Sequence, residues 1–367
     1  MTTVDDPQLR VFMCPDYTGA NPYQEGLIDG LARANVDTIR VDANGMFPLL
    51  SAWIAYDRPD LVHVHWIHRF IEADRHGKSL LAVLLAVRSL VEILLLRIAG
   101  IPVVWTIHNV ASHEREVPHV EMAFRHIVSR LVAGMIVHCD DARDIIIDRY
   151  RLPARRVNRI HVIPHGNYDD HYPRELDRAE ARQALQADPD RTVLLFFGMI
   201  RRYKRVPALV DTFAAIDDPE TELWIVGNPW SDALKREVER AAAGQRNVNT
   251  VLEYVDDSQV QTFFSAADAT VLPYDGILTS GSAILAMTYG RAVIAPASGC
   301  LPELIGEFGG ITYDSDTPHG LATSIQAAIA DRDRLHRMGE RNRRVASRLC
   351  WSSIGEQTAT VYRSAIR

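Results

Sequence analysis

Short, unbroken apolar runs alternate along the chain with longer stretches whose apolar residues return every three or four positions. RVFMCP, VDTIRVD, LVHVHW, PVVWTIHN, MIVHC and RIHVIPH are of the first kind and read as strands. NPYQEGLIDGLARAN and DARDIIIDRY are of the second kind and read as helices. Strands alternating with helical patterns predict βα units and a parallel sheet. The alternation stops at GNYDDHYPRELDRAEARQALQADPDR, residues 166–191, a polar stretch that reads as a linker with one short helix. It resumes with TVLLFFG, ELWIVGNP, NVNTVLEYV, ATVLPY, RAVIAP and GGITYD, and helical stretches such as ALKREVERAAAG and SQVQTFFSAA lie between them. From His319 to Arg367 the pattern is nearly all helix.

The expected fold is α/β, with two doubly wound, Rossmann-like domains facing across a cleft. The expected boundaries are 1–170 and 171–349, with a helix at about 350–367 packing back on the first domain. A length of 367 residues fits two domains of about 100–200 residues each. One apolar segment stands apart, LLAVLLAVRSLVEILLLRIAG, which Arg88, Glu92 and Arg97 interrupt. Crossing a bilayer takes about 20 predominantly apolar residues. The expectation here is a largely buried core helix, and Lys78 and the arginines leave open a weak peripheral contact with anionic lipid.

Composition narrows the function classes. The net charge of −7 gives no electrostatic support for a nucleic-acid partner. Four widely spaced cysteines contain no CxxC pair and read as reduced thiols, not as a zinc site. The polar, acidic start MTTVDDPQLR is not a secretory signal. The expected location is cytoplasmic, with a weak peripheral contact at the inner face of the membrane left open.

In parallel sheets ligands bind beyond the carboxyl ends of strands. After TVLLFFG come Arg201, Arg202, Lys204 and Arg205, whose concentrated charge suits a diphosphate. After ELWIVG, Asn228-Pro229-Trp230 sets a turn. After ATVLPY, Thr279, Ser280, Gly281 and Ser282 stand at the mouth of an apolar helix. Hydroxyls there cap the helix, and its free amides also form an anion site. Three such strand ends together fit a nucleotide diphosphate. No GxGxxG or GxxxxGK[ST] stretch is present, which argues against nicotinamide cofactors and P-loop chemistry.

The first half is rich in histidine at strand ends: His63, His65 and His68, then His108 and His113, the last followed by Glu114 and Glu116. His63 and His65 share one strand face, His68 falls beyond it, and no HExxH occurs, so metal ligation is disfavoured. Acceptor binding at a cleft wall is expected of Asp16, Asn21, Tyr23, His65 and Glu114, and core packing of His63.

FFGMIRRYK, LWIVGNP, VLPYDGILTSGSAILAMTYGRAVIAP and VVWTIHN resemble the GT-B glycosyltransferases, in particular the bacterial group-1 type of the large fourth family. The resemblance covers nearly the whole chain and is looser in its first half. It implies a hexosyltransferase that moves a sugar from a nucleotide diphosphate donor to a glycan, a lipid-linked acceptor or a small molecule. It implies neither an essential metal nor another cofactor. By motif position Lys204 holds the diphosphate, and Arg201 shares that role because Met199 stands where the family carries its arginine. Gly198, Gly227, Asn228, Asp275, Thr279, Ser280, Gly281 and Ser282 complete the donor set. His108 matches a histidine near the transferred sugar. One departure matters: the family's two glutamates, eight positions apart, are Ile277 and Leu285 here. This weakens the inference of a retaining mechanism, which stays slightly favoured. The alternatives are an inverting transferase of the β-mannosyl or glucuronosyl type, a nucleotide-sugar epimerase of the same fold, and a non-catalytic sugar-binding protein.

Overall fold

The computed structural model describes residues 8–19, 22–72, 78–112 and 117–367. The chain forms two compact units, one of Met1–Gly166 with Cys350–Arg367 and one of Asn167–Leu349. Each is built on a six-stranded parallel sheet. In the first unit the strands are β1 (Leu9–Cys14), β2 (Val36–Arg40), β3 (Leu61–Val64), β4 (Val103–Thr106), β5 (Gly134–Val137) and β6 (Ile160–Val162). Their spatial order is β2-β1-β3-β4-β5-β6. In the second unit they are β7 (Thr192–Phe197), β8 (Thr221–Val226), β9 (Val248–Val251), β10 (Ala269–Val271), β11 (Ala292–Pro296) and β12 (Gly310–Tyr313). Their order is β12-β11-β10-β7-β8-β9.

Every residue of β3, β4, β5 and β8 is buried, as unbroken apolar runs covered by helices on both faces require. Each sheet reverses direction once. The first runs from β1 to β2 and then restarts at β3 on the other side of β1, and the second restarts at β10 beside β7. The loops that leave β1 and β3, and those that leave β7 and β10, part at these points and open a crevice in each unit.

The polar stretch of residues 167–191 is not a linker. It belongs to the second unit and carries the helix Arg178–Leu185, which a reciprocal Asp177–Glu180 capping box starts. Arg182, 2% exposed, ties it down by donating to the carbonyls of Ala266, Asp188, Pro189 and Arg191 and to Asp268. The Gln261 side chain accepts from the amides of Glu175 and Leu176. Polarity alone did not separate a linker from a segment whose charges are paired inside a fold.

The apolar helix also differs from expectation. Lys78–Ile98 is one helix, and its Glu92 is fully buried and accepts from the Leu49 and Leu50 amides. Within it only a third of the stretch Ser79–Ile98, whose mean hydropathy is 2.3, is buried. Leu80, Leu84, Val87, Leu95 and Ile98 lie exposed, and Ile54 and Tyr56 of the adjoining helix Pro48–Tyr56 are exposed as well. By length and composition this helix suffices to cross a membrane. Here one face packs and the other presents apolar surface, so it is not a core helix. Cys14 and Cys350 carry free thiols.

The last helix, Trp351–Ile366, packs against Pro22–Arg33 with the backbones in contact. A Cβ on Gly355 would fall 2.1 Å from the carbonyl carbon of Gly30. Gly355→Ala should therefore lower stability by roughly 1–3 kcal/mol, the cost of overpacking. Thermal unfolding of the two proteins measures this, and an unchanged midpoint would contradict the contact.

Candidate active site

In the second unit the loops after β7, β8 and β10 are tied together. Ile200 N donates to Asn228 O at 2.9 Å, Trp230 N to Ile200 O at 2.9 Å, and Asp275 N to Tyr203 O at 2.7 Å. Gly198 and Gly227 hold φ of +116° and +144°, a region that only glycine enters freely. Gly227 also comes so close to Gly198 that a Cβ on it would lie 2.1 Å from the Gly198 carbonyl oxygen.

A Cβ on Gly198 would sit 3.4 Å from Ser282 Oγ and 3.6 Å from Lys204 Nζ. Three residues of the expected donor set thus converge on one point. Ser280 caps the helix Gly281–Thr288, its Oγ accepting from Ala283 N at 3.2 Å, so capping and the helix start coexist. The Tyr274 hydroxyl is buried beside Ser280 and Ser282 but is not aligned for a hydrogen bond to either. Thr279 is half-buried and Asp275 exposed. Ile277 and Leu285 are buried in the apolar core, so this unit offers no carboxylate at either position.

Lys204 ends a short 3-10 turn, Arg202–Lys204, and is 9% exposed. Its ammonium lies 5.3 Å from the Tyr274 ring centre and 5.8 Å from that of Phe196. Burial, with the Arg201 charge adding to it, lowers its pKa from 10.5 to about 7. Arg201 lies over the Trp230 ring at 4.1 Å. Trp230, placed by the turn after β8, thus carries a guanidinium on its ring face. Buried cation, backbone turns without side chains and a capped helix start make a cradle for an anion.

In the first unit the expected residues that lie among the described ones gather near the carboxyl ends of the strands, and Tyr23, His65 and His108 are enclosed. Asp16, half-buried after β1, accepts from Thr18 N at 3.0 Å and Thr18 Oγ at 2.7 Å. His63 bonds Tyr362 and Thr106 inside the core, and burial lowers its pKa to about 3. Tyr23 is 3% exposed, and its ring meets those of His65, His108, His138 and His165 edge-on. It packs the histidines together instead of presenting a surface. His65 is fully buried. Asn21, Glu114, His113 and Glu116 lie outside the described residues.

His108 is 6% exposed and stacks on Trp66 at 4.4 Å and 11°. Its Nε2 meets His65 Nδ1 at 3.1 Å and its Nδ1 meets His138 Nε2 at 3.4 Å. Sequence reasoning passed over His138 and His165. The signal was present: each follows its strand by one to three positions, as His65 and His108 do. It also passed over the pair that holds the loop after β4. Glu121 and Arg125, both buried, bond each other; Glu121 accepts from Ser112 N and Arg125 donates to Asn109 O.

Residues 177–345 match the family described as glycosyl transferases group 1. GDP-mannose:glycolipid 4-β-D-mannosyltransferase of Xanthomonas campestris pv. campestris is 27% identical, over 98% of this chain and 93% of that protein. α-D-Kanosaminyltransferase of Streptomyces kanamyceticus is 27% identical, over 74% of this chain and 72% of that one. Among solved structures, sucrose-phosphate synthase of Thermosynechococcus elongatus superposes with a TM-score of 0.76 at 21% identity, covering 97% of this chain and 98% of that one. The Anabaena protein HepE in complex with UDP-glucose gives 0.72 at 16%, covering 97% and 99%. At these identities the structural likeness is one of fold.

The lowered Lys204 pKa has a sign that binding reads out. A cation held at about 7 is mostly neutral at pH 8, and an anion placed beside it favours the charged form. A nucleoside diphosphate should therefore bind with proton uptake at pH 8, and its affinity should weaken as pH rises from 7 to 9. Calorimetry in buffers of different ionisation enthalpy measures the uptake. It should vanish in Lys204→Met, with affinity about tenfold lower, the order of one charge-assisted contact. Equal uptake in both proteins would refute the assignment.

Proposed function

Since the chain belongs to the group-1 glycosyltransferases with the GT-B fold and is a hexosyltransferase, we propose that it moves a hexose from a GDP-linked donor to a hydroxyl of a glycolipid, with inversion at the anomeric carbon. The observation that carries the donor side is the convergence of Gly198, Lys204 and Ser282 at the start of Gly281–Thr288. As the C1–O bond to the diphosphate breaks, negative charge grows on the leaving phosphate. Lys204, itself buried, and the helix amides meet that charge, and Arg201 adds to it from its place on Trp230. This supply of positive charge makes a metal ion unnecessary in the reading proposed here.

Sugar, acceptor and stereochemistry lean on the relative matched along nearly the whole chain, whose name specifies mannose, glycolipid and a β-linkage. A β-mannoside made from an α-linked donor requires inversion. Motif reading slightly favoured retention. The apolar burial of Ile277 and Leu285 removes the carboxylates that accompany retention in the resembled family, and with the relative's β-linkage it moves the choice to inversion. Inversion needs a base for the acceptor proton. Asp16 is the half-buried carboxylate at the end of β1, whereas His65 is fully enclosed. We assign Asp16: the acceptor oxygen bonds C1, its proton passes to the Asp16 carboxylate, and the diphosphate leaves.

With GDP-α-mannose, a glycolipid acceptor and excess EDTA, the product should show a β-anomeric signal by NMR. Asp16→Asn should lose roughly 10²–10⁴-fold in turnover. An α-linked product would overturn inversion, and activity restored only by added magnesium or manganese would overturn metal independence.

The exposed leucine face of Lys78–Ile98 suits a peripheral contact with the membrane that holds such an acceptor. The protein should co-sediment with phosphatidylglycerol vesicles, and Leu84→Glu with Leu95→Glu should release it. Equal sedimentation of both proteins would exclude this face.

A further inference from the structure

The histidines of the first unit form a chain with a direction. His138 Nδ1 lies 2.9 Å from the Ile163 carbonyl oxygen, which can only accept, so the proton sits on Nδ1. His138 is buried, and burial lowers its pKa to about 4, so the ring is neutral and its Nε2 is a bare acceptor. His108 Nδ1 faces that acceptor and must donate to it. Burial keeps His108 neutral as well, so its Nε2 accepts, and His65 Nδ1 donates there. At the far end His65 Nε2 is left unprotonated, buried and without a hydrogen-bond partner.

We propose that His138 is a positioning residue for His108: by donating to the Ile163 carbonyl it fixes His108 and His65 as Nδ1–H tautomers in one directional chain. Trp66 stacked on the His108 ring and Tyr23 set edge-on to it at 4.8 Å hold the same orientation from its other sides. A flipped His108 ring would bring a carbon against His138 Nε2 and leave buried polar atoms unpaired. The importance of this for turnover rests on the proposed transfer reaction and on the resemblance that sets His108 near the transferred sugar. The tautomer itself rests on neither.

Two-bond proton–nitrogen correlation NMR of the histidine-labelled full chain at pH 7.5 reads each tautomer directly, with signals assigned by single substitutions. His65, His108 and His138 should all appear as neutral Nδ1–H forms. His108 as the Nε2–H tautomer or as an imidazolium would overturn the proposal in the wild-type protein alone. His138→Phe should move His108 away from the pure Nδ1–H form and lower kcat by roughly tenfold to a hundredfold, with KM for the donor little changed. His138→Gln, which carries both a donor and an acceptor, should restore part of each. An unchanged His108 tautomer in His138→Phe would show that another contact sets it. Expected tautomers without turnover on GDP-mannose would instead count against the proposed substrate.

Discussion

A polar group taken out of water must find a partner inside the protein or give up its charge, and the architecture of both units follows from how each buried group resolves this. Arg182 resolves it with four carbonyls and Asp268, and so draws a polar segment into the second unit. Glu121 and Arg125 resolve it with each other and with the backbone of residues 109–112, so the loop leaving β4 is held from beneath. The buried histidines resolve it by shedding charge and bonding in series. Lys204 goes only part of the way, by the second route, as burial lowers its pKa to about 7. Among the described residues no carboxylate pairs with it, its neighbours are aromatic rings, and Arg201 adds like charge. A cation left in that state is a candidate for a ligand's charge, because structure alone does not repay its burial.

The parallel sheets decide where these groups lie. Helices cover both faces of each sheet, so loops at the strand ends are the places where polar side chains gather. Strand order reverses at β1/β3 and at β7/β10, and the neighbouring loops diverge there. Asp16 and His65 follow one reversal; Gly198, Lys204 and the helix start at Gly281 follow the other. Close backbone approach completes the second site, since Gly227 lies against Gly198 where any side chain would intervene.

Much of this was legible in the residues, for physical reasons. An unbroken run such as TVLLFF can be satisfied only in a strand buried on both faces, so the alternation of strands and helices announced two parallel sheets. The basic cluster after β7 and the hydroxyls after β10 were legible because a ligand site in this fold must follow a strand. Less legible were features that depend on partners distant in sequence. Residues 167–191 looked like a linker because neither the pairing of Arg182 with Asp268 nor the bonds from the Glu175 and Leu176 amides to Gln261 can be seen in the local sequence. The leucine-rich helix looked like core because hydropathy counts apolar residues without showing which face is covered.

The sequence by itself determined the fold class, the strand ends that carry chemistry and the absence of carboxylates at Ile277 and Leu285, because these follow from residue type and from local period. Only the tertiary structure decided that Tyr23 packs among the buried histidines, that Trp230 carries Arg201, and that His138 and His108 stand nitrogen to nitrogen. The reason is range. A hydrophobic period is set within a few residues, whereas the charge state of a lysine and the tautomer of a histidine are set by groups up to tens of residues away in the chain, which the fold alone brings within 3 to 6 Å.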